Sequence, residues 1–198
     1  MSGLGKTLEH FQSLRCKFEN LLAAARLRSP RAEPAAEYVT TRLRQLPGFG
    51  SNPGNLRMFA HAPDPLPNMP PLVVALHGCS QSAVEYDRGT GWSTLADRLG
   101  FVVVYPEQLP SNNPKTCFSW FQPGDIARNG GEALSIHEMV ETAIARFGVD
   151  RRKVFVTGLS AGGAMASVML ATYPEVYAGR GHHRRLALWM RRVRPGSA

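Results

Sequence analysis

At 198 residues, 43% hydrophobic and 19% charged, the chain can bury one good core and has an ordinary globular composition, which indicates neither disorder nor a membrane class. No apolar run approaches bilayer length, and Glu9, His10, Arg15, Lys17 and Glu19 break up the N-terminus too often for a recognisable secretion signal. The net charge of +8 would suit an anionic partner, but residues 180–198 hold six arginines and no acid, so the body is near balance and no specific nucleic-acid partner is expected of it.

Over residues 4–27, apolar side chains at Leu4, Leu8, Phe11, Leu14, Phe18, Leu21, Leu22 and Ala25 recur at intervals of three and four, which predicts an amphipathic helix within residues 1–28. Residues 29–44, rich in proline and small side chains at their start, read as a linker. A turn cluster at 49–55 precedes a strand over 56–60, and a proline-rich loop at 63–71 leads into Leu72–Leu76, an apolar run with the length of a buried strand. His77-Gly78-Cys79 closes that strand. Trp92–Leu99 reads as a helix stopped by Gly100, and residues 101–105 as a second buried strand stopped by Pro106.

Residues 107–129 form a long connection whose aromatic group, Phe118, Trp120 and Phe121, is unusual for a loop, and loops of that length in compact domains tend to be functional. Gly131–Phe147 reads as a helix with Leu134, Met139, Val140 and Ile144 as its apolar positions and Gly148 as its stop. Strands alternating with helices imply an α/β architecture with a mainly parallel sheet and flanking helices, and ligands of such sheets lie beyond the carboxyl ends of the strands.

The segment 154–171 carries the chemistry. β-branched and aromatic residues at 154–157 suit a buried strand, residues 163–171 suit a helix, and Gly158-Leu159-Ser160-Ala161-Gly162 lies between them. In a strand-to-helix elbow a serine is held on a strained turn, and side chains two positions either side of it would collide with neighbouring backbone. Glycines at both positions make Ser160 the candidate nucleophile, with the positive end of the following helix available to a developing oxyanion. The cysteines Cys16, Cys79 and Cys117 show no metal-ligand spacing and allow at most one intrachain disulfide.

Together, residues 48–58, Leu76-His-Gly-Cys-Ser-Gln, Tyr105-Pro-Glu-Gln, Cys117-Phe-Ser-Trp-Phe, Gly158-Leu-Ser-Ala-Gly-Gly-Ala-Met and the stretch 171–179 resemble the poly(3-hydroxybutyrate) depolymerase family of esterases, within the α/β-hydrolase superfamily. The resemblance covers about residues 45–179, the N-terminal part of such a domain. It implies ester hydrolysis through an acyl-enzyme on short-chain hydroxyalkanoate or related esters, a polyester or small ester as partner, and neither cofactor nor metal. Ser160 would attack, the backbone amides of Cys79 and Ala161 would form the oxyanion hole, and Trp120, Phe118 and Phe121 would line the substrate cleft or be pinned to the core by burial. His77 would orient its loop, and Cys79 would pair with Cys117. Export to the extracellular space is implied by the resemblance; retention in the cytoplasm is the alternative from the missing signal.

The resemblance ends at about Gly179, and residues 180–198 read as an arginine-rich tail outside the family, so the sequence is expected to be truncated or frameshifted there. In α/β-hydrolases the triad acid and base follow the serine. His182 and His183 are the only later histidines, and no acid accompanies them in the tail, so an incomplete fold with impaired activity is expected. An apolar strand at an open sheet edge would favour self-association. Two other readings follow: a non-catalytic remnant that binds esters or polymer through its aromatic loop, and an arginine tail that binds nucleic acid or anionic lipid.

Overall fold

A computed structural model describes residues 42–178. The expected helix within 1–28, most of the 29–44 linker, Cys16, His182, His183 and the arginine-rich segment lie outside the described residues.

Five strands form one sheet: β1 (Arg44–Gln45), β2 (Arg57–His61), β3 (Leu72–Leu76), β4 (Val102–Glu107) and β5 (Val154–Gly158), in the order β1-β2-β4-β3-β5. β3 lies between β4 and β5 and is parallel to both, whereas β2 is antiparallel to β4 and β1 is antiparallel to β2. The sheet is therefore mixed, with antiparallel pairing on the β1 side; hydrophobic runs mark these strands but do not carry their direction. β4 also runs two residues further than the sequence suggests. Its pairing with β3 ends at Val104 while β2 continues alongside to Glu107, so the missing N–H of Pro106 costs no bond on the β3 side.

Side-chain alternation divides the core between the two faces of the sheet. Val102 and Val104 join Leu72, Val74 and Leu76 against α4 (Gly131–Phe147) and α5 (Ala161–Thr172). Val103 and Tyr105 join Ala75 against α1 (Ala83–Thr90) and α2 (Trp92–Leu99). A one-turn α3 (Pro123–Ile126) precedes α4.

α1 forms where no element is predicted from the sequence. Ser82 caps it by accepting from the Glu85 amide at 3.2 Å, while the Glu85 carboxylate accepts from the Ser82 amide at 2.8 Å. The Ser82-x-x-Glu85 spacing is its local signal. The result is a three-layer arrangement in which the carboxyl ends of β3, β4 and β5 lie along one sheet edge, with β3 beside β5 and β4 beyond β3.

Candidate active site

Ser160 lies between β5 and α5 with φ 52° and ψ −115°, a left-handed φ that a residue with a side chain adopts only under constraint, at a typical cost of about 1–3 kcal/mol. The constraint comes from close backbone approaches on both sides. A Cβ at Gly158 would lie 2.3 Å from the Gly162 carbonyl carbon, and one at Gly162 would lie 2.3 Å from the Leu76 oxygen and 2.5 Å from the His77 oxygen. Leu159 N–H donates to Leu76 O at 3.1 Å and Gly162 N–H donates to Leu159 O at 2.9 Å, so the elbow is hydrogen-bonded to the end of β3 and closed on itself. Ser160 is left exposed at the start of α5.

The loop after β3 passes against this turn. A Cβ at Gly78 would lie 3.5 Å from both Leu159 Cδ2 and Leu159 O, which puts the 78–79 peptide beside the elbow. Gly78 N–H is held by Gln81 Oε1 at 2.9 Å, Ser80 N–H by Lys115 O at 2.6 Å, and a disulfide joins Cys79 to Cys117 with the Cα atoms 4.3 Å apart. The Cys79 and Ala161 amides donate to no acceptor among the described residues. Two uncommitted amides near a strained serine are what an oxyanion site requires.

His77 is buried and both its ring nitrogens are engaged. Nδ1 meets the Gly78 carbonyl at 2.7 Å, and Nε2 meets the Gln108 N–H at 3.0 Å. A carbonyl only accepts and an amide N–H only donates, so Nδ1 carries the proton and the ring is neutral. Burial lowers its pKa, in agreement. His77 orients its loop and has no free nitrogen for Ser160. His61 pairs with Asp97 at 2.7 Å and His137 stacks on Tyr173 at 4.3 Å; among the described residues no imidazole is hydrogen-bonded to Ser160.

The three aromatics of the connecting loop separate. Phe118 is fully buried and tilts against His77 at 4.8 Å, which is the second of its two expected placements, pinned to the core by the area a phenyl ring removes from water. Trp120 and Phe121 are 45% and 57% exposed and meet edge to face at 5.6 Å. Trp120 is three positions after Cys117, so their Cα atoms are at most about 11 Å apart.

Glu107, Gln108 and Glu132 are buried polar residues near this edge that received no role in the sequence reading. Glu107 pairs with Arg57 and accepts from the Ala83 amide at 2.6 Å, tying β2, β4 and α1 together. Gln108 lies in the quoted Tyr-Pro-Glu-Gln motif. Glu132 had no local signal, since an acid in a first helical turn ordinarily faces solvent. A cleft of about 290 Å³ is lined by Arg57, Ser80, Gln81, Glu85, Glu107 and Gln108; Ser160 is not among its lining residues, although Ser80 and Gln81 belong to the loop that passes beside the elbow. Among the described residues no His, Cys, Asp and Glu cluster could hold a metal ion, and no helix is long and apolar enough to cross a membrane.

A family profile described as Esterase PHB depolymerase matches residues 58–190. Poly(3-hydroxyalkanoate) depolymerase C of Paucimonas lemoignei is 55% identical over 137 residues, which cover 69% of this chain and 33% of that protein. Feruloyl esterase B of Neurospora crassa is 40% identical over 144 residues, covering 72% of this chain and 48% of that protein. The solved structure of acetyl xylan esterase from Aspergillus awamori superimposes with a TM-score of 0.65 at 38% identity, covering 69% of this chain and 49% of that one. The chain thus spans about a third to a half of the length of these relatives.

Proposed function

The chain belongs to the esterase PHB depolymerase family, and from that premise we propose that it carries the nucleophile and oxyanion amides of a serine carboxylic-ester hydrolase. The observation that carries the reading is the left-handed Ser160, clamped between Gly158 and Gly162 beside the uncommitted Cys79 and Ala161 amides. Ser160 Oγ adds to the ester carbonyl, and the negative oxygen is received by the two amides. Collapse expels the alcohol and leaves an acyl-serine, which water then cleaves.

Both half-reactions need a base. None of the described imidazoles is hydrogen-bonded to Ser160: both His77 nitrogens are taken, His61 pairs with Asp97, and His137 stacks against Tyr173 with its Nδ1 buried, so we propose that turnover resting on residues 42–178 alone is slow. The substrate is read as a short-chain hydroxyalkanoate polyester or a related acyl ester, with the exposed Trp120–Phe121 pair as its apolar contact; aromatic faces of this kind bury large apolar area on binding. The Cys79–Cys117 disulfide supports an extracellular destination. β5 pairs only with β3 among the described residues and exposes Phe155 at 45%, which supports self-association at that edge.

The test is hydrolysis of p-nitrophenyl butyrate and of hydroxybutyrate oligomers by the chain beside Ser160→Ala at matched folding. Turnover above the variant that is fast and sustained would mean that a base from outside residues 42–178 reaches Ser160, and would overturn the expectation of impaired activity in the chain. Acyl transfer to Ser160 with slow release supports the reading, and polymer binding that survives Ser160→Ala without acylation of the parent would favour a binding role instead.

A further inference from the structure

Glu132, in the first turn of α4, is 2% exposed and among the described residues faces no cation at hydrogen-bond distance. One carboxylate oxygen accepts from the Ser119 amide at 2.9 Å, in the aromatic loop, and the other from Gln108 Nε2 at 2.5 Å, at the end of β4. Loop 50–55 covers it closely: a Cβ at Gly54 would lie 2.5 Å from Glu132 Cα, and Gly54 N–H donates to Ser135 Oγ at 2.8 Å. Burial pushes the Glu132 pKa up, while its bonds to Ser119 and Gln108 oppose that shift.

The connection continues beyond Gln108. Its backbone N–H donates to His77 Nε2 at 3.0 Å, and His77 Nδ1–H donates to the Gly78 carbonyl at 2.7 Å, whose carbon is bonded to the Cys79 nitrogen. Gln108 Nε2 also reaches the Cys117 carbonyl at 3.3 Å, on the other side of the disulfide. A single carboxylate thus anchors the loop bearing Trp120 and, through two residues, the peptide that presents the Cys79 amide.

We propose that Glu132 is a positioning residue that holds the oxyanion loop and the aromatic loop in register, acting through Gln108 and His77 on one side and Ser119 on the other. This rests on the reading of the Cys79 and Ala161 amides as oxyanion donors. The role requires an acceptor-only group. Ser119 presents an N–H, and the Gln108 amide cannot turn over, because its Oε1 already accepts from Leu109 N–H at 2.9 Å and Asn112 Nδ2 at 2.6 Å. Glu132→Gln keeps size and shape but turns an NH2 group toward a donor on one side or the other.

The experiment measures the equilibrium of the Cys79–Cys117 disulfide with a dithiothreitol redox buffer, a readout that needs no ester hydrolysis. A uniform loss of stability affects oxidised and reduced forms alike and leaves this equilibrium unchanged; a loosened loop lowers the effective concentration of one thiol at the other and favours reduction. Glu132→Gln is expected to shift the equilibrium about tenfold toward the dithiol, an increase in potential of about 30 mV. Val140→Ala, in the same helix but packed in the core, is expected to lower stability without shifting it.

The double variant E132Q/Q108E is expected to recover most of the shift. Its new amide oxygen accepts from Ser119 and its new amide donates to the new carboxylate, which still accepts from Leu109 and Asn112; only the 3.3 Å bond to Cys117 is lost. Wild-type potential in Glu132→Gln overturns the proposal, as does a shift that Val140→Ala shares. Where Glu132→Gln alone does not fold, a folded double variant supports the proposal and an unfolded one overturns it. If ester turnover is measurable, kcat should fall about 100-fold with KM nearly unchanged; undetectable turnover in the parent bears on the function reading and leaves the redox result intact.

Discussion

Replacing Gly162 by alanine would put a methyl group 2.3 Å from the Leu76 oxygen and 2.5 Å from the His77 oxygen, both of them backbone atoms. Ordinary van der Waals contact begins near 3.4 Å, so α5 must move away from the end of β3 by about 1 Å, a displacement that elsewhere costs roughly 100-fold in catalysis. Leu76 O cannot yield independently, because it also accepts from Leu159 N–H at 3.1 Å. Overpacking of this kind costs about 1–3 kcal/mol of folding stability. Urea unfolding and the rate of Ser160 acylation by p-nitrophenyl butyrate measure the two consequences separately. Gly89→Ala is the control: an added Cβ meets nothing within 4 Å inside α1, so stability should rise by up to about 1 kcal/mol. A Gly162→Ala protein with the parent's unfolding midpoint and acylation rate would refute the argument that backbone contact holds Ser160 in its strained conformation.

Reducing the Cys79–Cys117 bond, which closes a span of 38 residues, should lower stability by up to about 4 kcal/mol on the loop-entropy estimate; an unchanged unfolding midpoint in reductant would contradict this. Phe118→Ala should cost about 3–5 kcal/mol in thermal or urea unfolding, since the ring is fully buried. Trp120→Ala should leave stability within about 0.5 kcal/mol and weaken retention on polyester particles, and the reverse pattern would exchange the two roles. Asp150 is held at about 2, below its ordinary 3.8, chiefly by the Arg152 side chain and backbone N–H. A depressed folded-state pKa stabilises above the unfolded value and loses that contribution as pH falls toward the folded one. The melting-temperature deficit of Asp150→Asn should therefore be full at neutral pH and close between about pH 4 and pH 2.

The elbow was legible because steric exclusion is local: Gly158 and Gly162 are two residues either side of Ser160, and the clashes they avoid lie within and beside that same turn. Helix α4 was legible for the same reason, its apolar spacing and the αL cap at Gly148 both being near-neighbour effects. Strand direction was not: β2 reads Arg-Met-Phe-Ala-His, five residues whose alternating burial suits an antiparallel partner but is too short to name one, and its pairing with β4 is decided by tertiary packing. The Ser82-x-x-Glu85 signal for α1 was present but is followed by Gly89 and Gly91, which weaken a helical reading. Phe118 and Trp120 are two positions apart in one aromatic cluster, yet one is in the core and the other at the surface. Glu132 was hidden most completely, since only the fold brings Ser119 and Gln108 to its carboxylate and removes water from all three.

The most direct test of the central claim is mass spectrometry of the chain after incubation with p-nitrophenyl butyrate, with peptide mapping beside Ser160→Ala. One butyryl group is expected on the peptide containing Ser160, absent from the variant and slow to leave. Acylation that ignores Ser160, or is the same in both proteins, would contradict its assignment as the nucleophile.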